Sequence, residues 1–272
     1  STKKIFKKNS KTFFFASIFL EKNIFKNCAI LYEFCRYIDD IADKKNKKKS
    51  YKLKNIVKDI NNDSKNTKIR YIKCLINNKT INKKHIFQLM EGMKYDLKKK
   101  VVIKSQRELI IYAYLAAGTV GLMMADILGI TEKVAYKYAV DLGIAFQLTN
   151  IARDILEDAE MNRVYLPSSW IEVTSNDIKF LNNKNKKKLI KNTLQIIDLS
   201  EVYYQSALKG LAFLNLRNRF AILTALVIYR QIGLKVVRKS FSNLYKRETI
   251  SFVEKLLCLF KCFTFFTSNT SN

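Results

Sequence analysis

The sequence predicts an all-α fold, a single bundle of long helices around a central cavity, and three observations carry that reading. The chain of 272 residues holds only 7 Gly and 1 Pro, which withholds the turn residues that many short strands and hairpins require. Long segments repeat apolar residues every three to four positions. Two of these segments also carry polar side chains along one stripe, which is costly in a buried helix unless the stripe lines a space holding water or cations. Nothing in the composition marks a seam, so residues 1–272 read as one domain.

The segments follow in order. Ser10 to Leu20, SKTFFFASIFL, starts with hydroxyls able to cap a helix and continues as a dense aromatic run. It reads as a core-packing helix, with Phe13 to Phe15 as secondary candidates for a lipophilic pocket. Cys28 to Asp43 places Ala29, Ile30, Phe34, Ile38 and Ile41 on an apolar face. Tyr51 to Asn78 is polar and weakly periodic: two surface helices joined near residues 61–66, with nothing that suggests chemistry. Asn82 to Lys98 is amphipathic through Ile86, Leu89, Met90 and Met93, and its Asp96 reads as a surface ion pair with a neighbouring lysine.

Arg107 to Ile130 is the most apolar segment. Its charge-free part, Ile110 to Ala125, falls short of the roughly 20 residues that a membrane-spanning helix needs and reads as a buried core helix. Gly118 and Gly121 inside it each cost about 1 kcal/mol relative to alanine, which implies a helix or a lipid chain in close approach. Lys133 to Glu160 is expected as one long helix, followed by the only proline, Pro167. Lys184 to Asn215 and Asn218 to Lys239 read as two more long helices, with Tyr229 and Arg230 toward the interior. Thr249 to Phe266 is apolar and aromatic, broken by Lys255 and Lys261; it suits packing on the core and lying in a membrane surface equally well.

The net charge of +27, from 50 Lys and Arg against 23 Asp and Glu, would attract anionic partners. The densest runs, Lys44 to Lys49 and Asn182 to Lys188, sit between periodic segments, as solvated loops do. No aromatic-interleaved basic stripe marks a nucleic-acid groove, and no nucleic-acid partner is expected. Five cysteines form no CxxC pair, and His85 is the only histidine. Zinc sites, catalytic triads and HExxH chemistry are therefore improbable, and the thiols suit a reducing compartment. Ser1 to Lys8 lacks the basic-then-apolar order of a signal peptide.

Two stripes carry the chemistry. In Cys28 to Asp43, Tyr32, Arg36, Asp39 and Asp43 share a face, with Asp40 beside it. In Phe146 to Pro167, Gln147, Asn150, Asp154 and Asp158 lie three and four residues apart. Four carboxylates converging on a cavity repel one another and raise their pKa values unless cations intervene. Oxygen-only donors suit a hard divalent ion such as Mg²⁺, with Mn²⁺ as a substitute, which commonly shares itself with substrate phosphates. Arg36, Arg153 and Arg163 add donors for a leaving diphosphate. Phe13, Phe14, Tyr32, Tyr112 and Phe146 would supply an aromatic lining able to stabilise a carbocation, as ionisation of an allylic diphosphate requires.

At these residues the chain resembles the squalene and phytoene synthase family of head-to-head prenyl synthases. The likeness rests on YEFCRYIDDIAD (Tyr32 to Asp43), QLTNIARDILEDAEMNRVYLP (Gln147 to Pro167), YAYLAAGTVGLMM (Tyr112 to Met124) and SKTF (Ser10 to Phe13). It runs from about residue 9 to 170 and thinly beyond. The resemblance implies an isoprenoid synthase fold in which two prenyl diphosphates condense through a cyclopropylcarbinyl diphosphate. It implies Mg²⁺ held by Asp39, Asp43, Asn150, Asp154 and Asp158. It further implies substrate or leaving-group contacts from Ser10, Phe13, Tyr32, Arg36, Gln147, Arg153, Arg163 and Tyr165, with Asp40 in the catalytic set and Tyr112 facing the reacting carbons.

Within the family the wording is most similar to bacterial phytoene synthases, which implies two geranylgeranyl diphosphates as substrates and no NADPH. Squalene or dehydrosqualene synthesis from farnesyl diphosphate is the alternative. A hydrocarbon product implies a cytoplasmic protein working at the inner face of a membrane and passing its product to downstream carotenoid enzymes. The chain departs from the family pattern at Phe241, where a tyrosine is expected. A non-catalytic relative would be expected to have lost its acidic motifs, and both are intact here.

Overall fold

The computed structural model describes residues 11–43, 48–62, 64–180, 182–239 and 247–269. The described helices, in order, are α1 (Lys11–Ser17), α2 (Lys22–Asp43), α3 (Lys49–Asn61), α4 (Thr67–Asn77), α5 (Lys83–Asp96) and α6 (Gln106–Ala113). A π-helical turn (Tyr114–Gly118) leads into α7 (Thr119–Ile127), α8 (Lys133–Arg153), α9 (Ile155–Glu160) and α10 (Ser175–Lys179). Then come α11 (Asn183–Gly210), a 3₁₀ turn (Leu211–Phe213), α12 (Leu216–Lys239) and α13 (Phe252–Asn269). Asparagine supplies much of the punctuation that Gly and Pro do not: the Asn66, Asn82 and Asn182 side chains each cap a helix by accepting from a backbone N–H.

The apolar periodicity becomes packing as expected. In α2, Leu31, Phe34 and Ile38 are at most 1% exposed, each contributing about 2 kcal/mol by burial. They join Ile56, Ile72, Ile86 and Leu89 from α3, α4 and α5 in one cluster. A second cluster gathers Leu109, Leu148, Ile151, Leu189 and Ile196 from α6, α8 and α11. The polar segment Tyr51 to Asn78 forms the two expected helices, α3 and α4.

Three departures have physical causes. The long helix expected over Lys133 to Glu160 divides at Asp154, whose backbone (φ −105°, ψ 18°) leaves the helical region before α9 resumes. The apolar run Gln106–Ile127 is 22 helical residues, long and apolar enough to cross a membrane, so the length argument for a core helix fails. Its packing places it in the bundle nonetheless: Met123 and Ala125 are at most 1% exposed, and α7 lies along α8. It also contains the π turn, which shifts the helical register by one residue between Tyr112 and the wall formed by Ala116 and Ala117.

A pair of two-residue strands, β1 (Val101–Val102) and β2 (Arg163–Val164), runs parallel with Val101 opposite Arg163. Too short to show a pattern in sequence, this pair fixes the chain after α9 against the chain after α5.

Gly121 and Gly143 are explained by backbone proximity, whereas a Cβ on Gly118 would meet the Tyr114 and Val140 side chains. A Cβ on Gly121 would stand 2.1 Å from the Ala139 carbonyl oxygen, and one on Gly143 would stand 2.2 Å from that of Ala117. Neither obstacle is a flexible side chain. Gly143→Ala is accordingly expected to destabilise the fold by about 1–3 kcal/mol through overpacking, read as a lowered urea midpoint with an unchanged slope. An unshifted midpoint would show that the two backbones separate freely.

Candidate active site

An elongated cavity of about 300 Å³ is enclosed by α1, α2, the π turn, α7, α8, α11 and α12. Its wall on α2 extends from Cys28 to Asp39, about 17 Å of helix at 1.5 Å per residue, and on α8 from Ala135 to Asn150, about 22 Å. The lining is apolar along most of that length and ends at Asp39 and Asn150, near the C-terminal ends of their helices. Phe13, Tyr32 and Phe146 line it as the sequence predicts. Phe13 stacks on Tyr229 at 4.8 Å, and Phe146 meets Tyr229 at 4.3 Å. Tyr229 thus takes the interior place expected of it, while Arg230 turns outward to Glu201 at 2.6 Å.

The two acidic stripes converge electrostatically. Burial pushes the Asp39 carboxyl up to about 7, with Asp43, Asp96 and Asp40 adding and Arg36 opposing. Burial likewise holds Asp158 well above the ordinary carboxylate range, with Asp154, Asp96 and Asp43 contributing against the pull of Arg163. The expected repulsion is present, but loss of water outweighs it.

Arginines interleave with these acids. Arg36 meets Asp40 at 2.9 Å one turn along α2, both about half exposed. Arg153 clasps its neighbour Asp154 through Nε and Nη2, at 2.7 and 2.5 Å, and also bonds to the Tyr229 hydroxyl. Arg163, only 7% exposed, donates to Asp43 Oδ1 at 2.7 Å and to the carbonyls of Ala42 and Asp96 at 3.2 Å each. Those carbonyls end α2 and α5, where the helix dipole favours a cation.

Several predicted residues sit elsewhere than expected. Tyr112 and Tyr165, 3% and 5% exposed, stack at 4.7 Å and donate their hydroxyls to Asp96; neither they nor Phe14 reach the cavity wall. Asp96 is no surface ion pair: it is 7% exposed and accepts from both tyrosines. A signal for this was present, because Asp96 follows Met93 by three residues on the face that buries Ile86 and Leu89. Gln147 is half-buried one turn before Asn150, and Ser10 and Phe241 lie outside the described residues.

Two further cations were not foreseen. Arg247 reaches Asp154 at 3.2 Å and Glu157 at 3.1 Å from a segment without periodicity. Lys49, the last residue of a basic run read as a solvated loop, instead starts α3 and donates at 3.3 Å to the same Ala42 and Asp96 carbonyls as Arg163.

The donor set fits a hard divalent cation. Asn150 Oδ1 is buried without a hydrogen-bond partner among the described residues, which is costly for an amide oxygen unless something binds there. Asp39 lines the same cavity beside Cys35, and the raised carboxyls of Asp39 and Asp158 await a compensating positive charge. Among the described residues, no group of three or more His, Cys, Asp or Glu side chains is placed to hold a metal ion by itself. The carboxylates are instead divided among Arg36, Arg153, Arg163 and Arg247. A cation shared between the two stripes and an anionic substrate matches that arrangement better than a cage made by protein alone.

The architecture matches solved structures at full length. A ligand-bound dehydrosqualene synthase superposes with a TM-score of 0.85 at 26% identity, covering 98% of this chain and 95% of that one. A squalene synthase from Alicyclobacillus acidocaldarius gives 0.76 at 16% identity over 88% and 93%, a likeness of fold alone. This is the isoprenoid synthase fold. The family model described as squalene/phytoene synthase matches residues 6–254, and the chain belongs to that family. A 15-cis-phytoene synthase of Enterobacter agglomerans is 45% identical over 149 residues, 54% of this chain and 50% of the other. One from Pantoea ananas is 39% identical over 176 residues, 64% and 57% of the two chains. The chain thus spans about half the length of the curated relatives it matches.

The raised carboxyls fix a pH dependence for the cation-free protein. Asp39 ionises near 3.8 when unfolded and near 7 when folded, so between those values the folded chain binds more protons. Stability should therefore fall as pH rises from about 4 through 7. Urea midpoints in chelator at several pH values test this, and Asp39→Asn should flatten the slope. A slope of opposite sign, or one that Asp39→Asn leaves unaltered, would refute the assignment of burial at this carboxyl.

Proposed function

We propose that the protein is a phytoene synthase, which condenses two geranylgeranyl diphosphates head to head. In the first half-reaction one diphosphate leaves, C–C bonds form to the second prenyl chain, and a proton is lost, giving a cyclopropylcarbinyl diphosphate. In the second, that diphosphate leaves, the ring rearranges, and loss of a proton gives phytoene. Two diphosphates and two protons balance the two substrates, and no reductant is required.

The observation that carries this reading is the geometry of the cavity: an apolar channel along some 20 Å of helix with acidic and amide oxygens at one end, taken as its mouth. That combination takes a long hydrocarbon chain with a charged head. Asp39, Asp43, Asn150, Asp154 and Asp158 would hold Mg²⁺, which when bound neutralises the diphosphate and favours its departure. Arg36, Arg153 and Arg247 flank the same mouth and would grip the departing anion. Phe13, Tyr32 and Phe146 present rings to the cavity beside it; they can stabilise a cation without attacking it, and the apolar wall keeps water from quenching it. Tyr112 and Tyr165 would act from behind the wall, holding Asp96 and through it the ends of α5 and β2.

The names of the most similar curated relatives favour the C20 substrate. The superposition with a dehydrosqualene synthase supports a second reading, condensation of two farnesyl diphosphates to a C30 hydrocarbon. Supplying each diphosphate separately with Mg²⁺ and analysing the products separates the two. Phytoene from the C20 substrate is expected; a C30 product alone would replace the first reading by the second. Asp154→Asn should keep its helical circular dichroism while losing about a hundredfold or more in turnover. Near-normal turnover at saturating Mg²⁺ would remove Asp154 from the metal set.

A further inference from the structure

Helix α13 is amphipathic in an unusual sense: its inner face is fixed to the protein and its outer face is uncharged. Cys258 and Cys262 are at most 2% exposed and pack inward. Glu254 and Ser251 cap each other at the helix start, and Lys235 of α12 holds Glu254 at 2.8 Å, so the rotation of the helix is set. Phe252, Val253, Leu256, Leu257, Phe260 and Phe263 are then 45–69% exposed. At 100° per residue these six fall within an arc of about 140°, and no Lys, Arg, Asp or Glu from Phe252 to Thr264 shares that arc.

The exposed face continues onto α1 and the start of α12. Phe252 meets Phe15 at 6.3 Å, and Phe263, Phe220 and Phe19 form a chain of rings at 4.9 and 4.8 Å. Ile18 and Leu216 beside them are 56% and 65% exposed. Arg217 donates to the Phe19 carbonyl at 2.7 Å, the exposed Lys22 and Lys26 follow α1 in sequence, and the exposed Lys261 lies on α13 about 40° beyond the arc, so the nearby charge is basic despite Glu21. On its opposite side, α1 lines the cavity through Phe13, Ala16 and Ser17. A single helix of seven residues therefore separates the hydrocarbon-lined cavity from this outer face.

We propose that the joint outer face of α13, α1 and the start of α12 docks on the surface of an anionic lipid bilayer. An apolar face of this size with a basic rim suits a leaflet of acyl chains beneath anionic headgroups. The chain's net charge of +27 is complementary to such a surface and opposes the pairing of two like copies across the same face. Docking brings the α1 flank of the cavity against the acyl region, so a hydrocarbon leaves into lipid without crossing water. That role in release rests on the prenyl-synthase reading, whereas the docking itself does not.

Co-sedimentation with phosphatidylcholine vesicles, with and without phosphatidylglycerol, tests the docking in the full chain. Wild type should bind the anionic vesicles, weaken as salt is raised, and bind neutral vesicles poorly. The double variant Leu257→Glu/Phe260→Glu should lose about a hundredfold or more in partitioning, with circular dichroism and turnover in detergent micelles unchanged. Independently, Phe260→Trp should be quenched by brominated lipid while the native Trp170, packed against the core cluster of α6, α8 and α11, is not. Equal partitioning of wild type and double variant, or an unquenched Phe260→Trp, would overturn the proposal. So would a wild-type dimer that the double variant disperses without any lipid binding, since a second copy would then be the occupant. Turnover in micelles is assayed separately, so a failed prenyl-synthase reading and failed docking give different results.

Discussion

The guanidinium of Arg163 ties together the parts on which the site depends. It lies on β2, yet it holds the Asp43 carboxylate and the terminal carbonyls of α2 and α5. Two helix C-termini with their partial negative charges, beside a cluster of acids, would not stay together without a buried cation. Lys49 completes the arrangement from α3 by donating to the same two carbonyls. The two-stranded pair holds Arg163 in place by setting Val101 against it. The smallest sheet a protein can form thereby sets the alignment of the acidic stripe on α2 with that of α8 and α9.

Beneath that tie lies Asp96, buried between two tyrosine hydroxyls. Tyr112 arrives from α6, just before the π turn, and Tyr165 from the residue after β2. The carboxyl raises the energy of the empty fold, and burial is the leading cause of its upward shift. What it provides is geometry: one acceptor shared by two stacked rings locks α5, α6 and β2 together directly behind Asp43 and Asp158. The buried acids hold the protein below the stability its apolar core would otherwise give, which is what the cation site we propose would require of its unliganded state.

The fold was largely legible in the sequence because apolar periodicity over long segments is a local signal that survives into tertiary structure. The acidic stripes were legible for the same reason: Asp39 and Asn150 project where their helical spacing puts them. Asp154 shows where spacing runs out, because the break between α8 and α9 depends on the clasp from Arg153 and the approach of Arg247, and the latter is a long-range event. Lys49 and Arg247 carry no pattern at all; each is one cation among 50, distinguished only by which carbonyl or carboxylate the fold brings to it. Asp96 was visible in principle, since it continues the apolar face of α5, but its lysine-rich surroundings suggested solvent. Tyr112 and Tyr165 show that a residue can belong to a site's motif and still stand behind its wall.

Gly121 and Gly143 put the two sides of the cavity on unequal terms. At Gly121 and Gly143 the π turn, α7 and α8 meet backbone to backbone, so neither position takes a side chain without moving a helix. The facing wall presents side chains of mixed size, from Phe13, Ala16 and Ser17 on α1 to Ala221, Ile222 and Ala225 on α12. The chamber behaves as a vice with one fixed jaw and one adjustable jaw. In the function we propose, the length of prenyl chain is set more freely from the adjustable side, where lengthening a side chain shortens the space without straining the backbone contacts at Gly121 and Gly143.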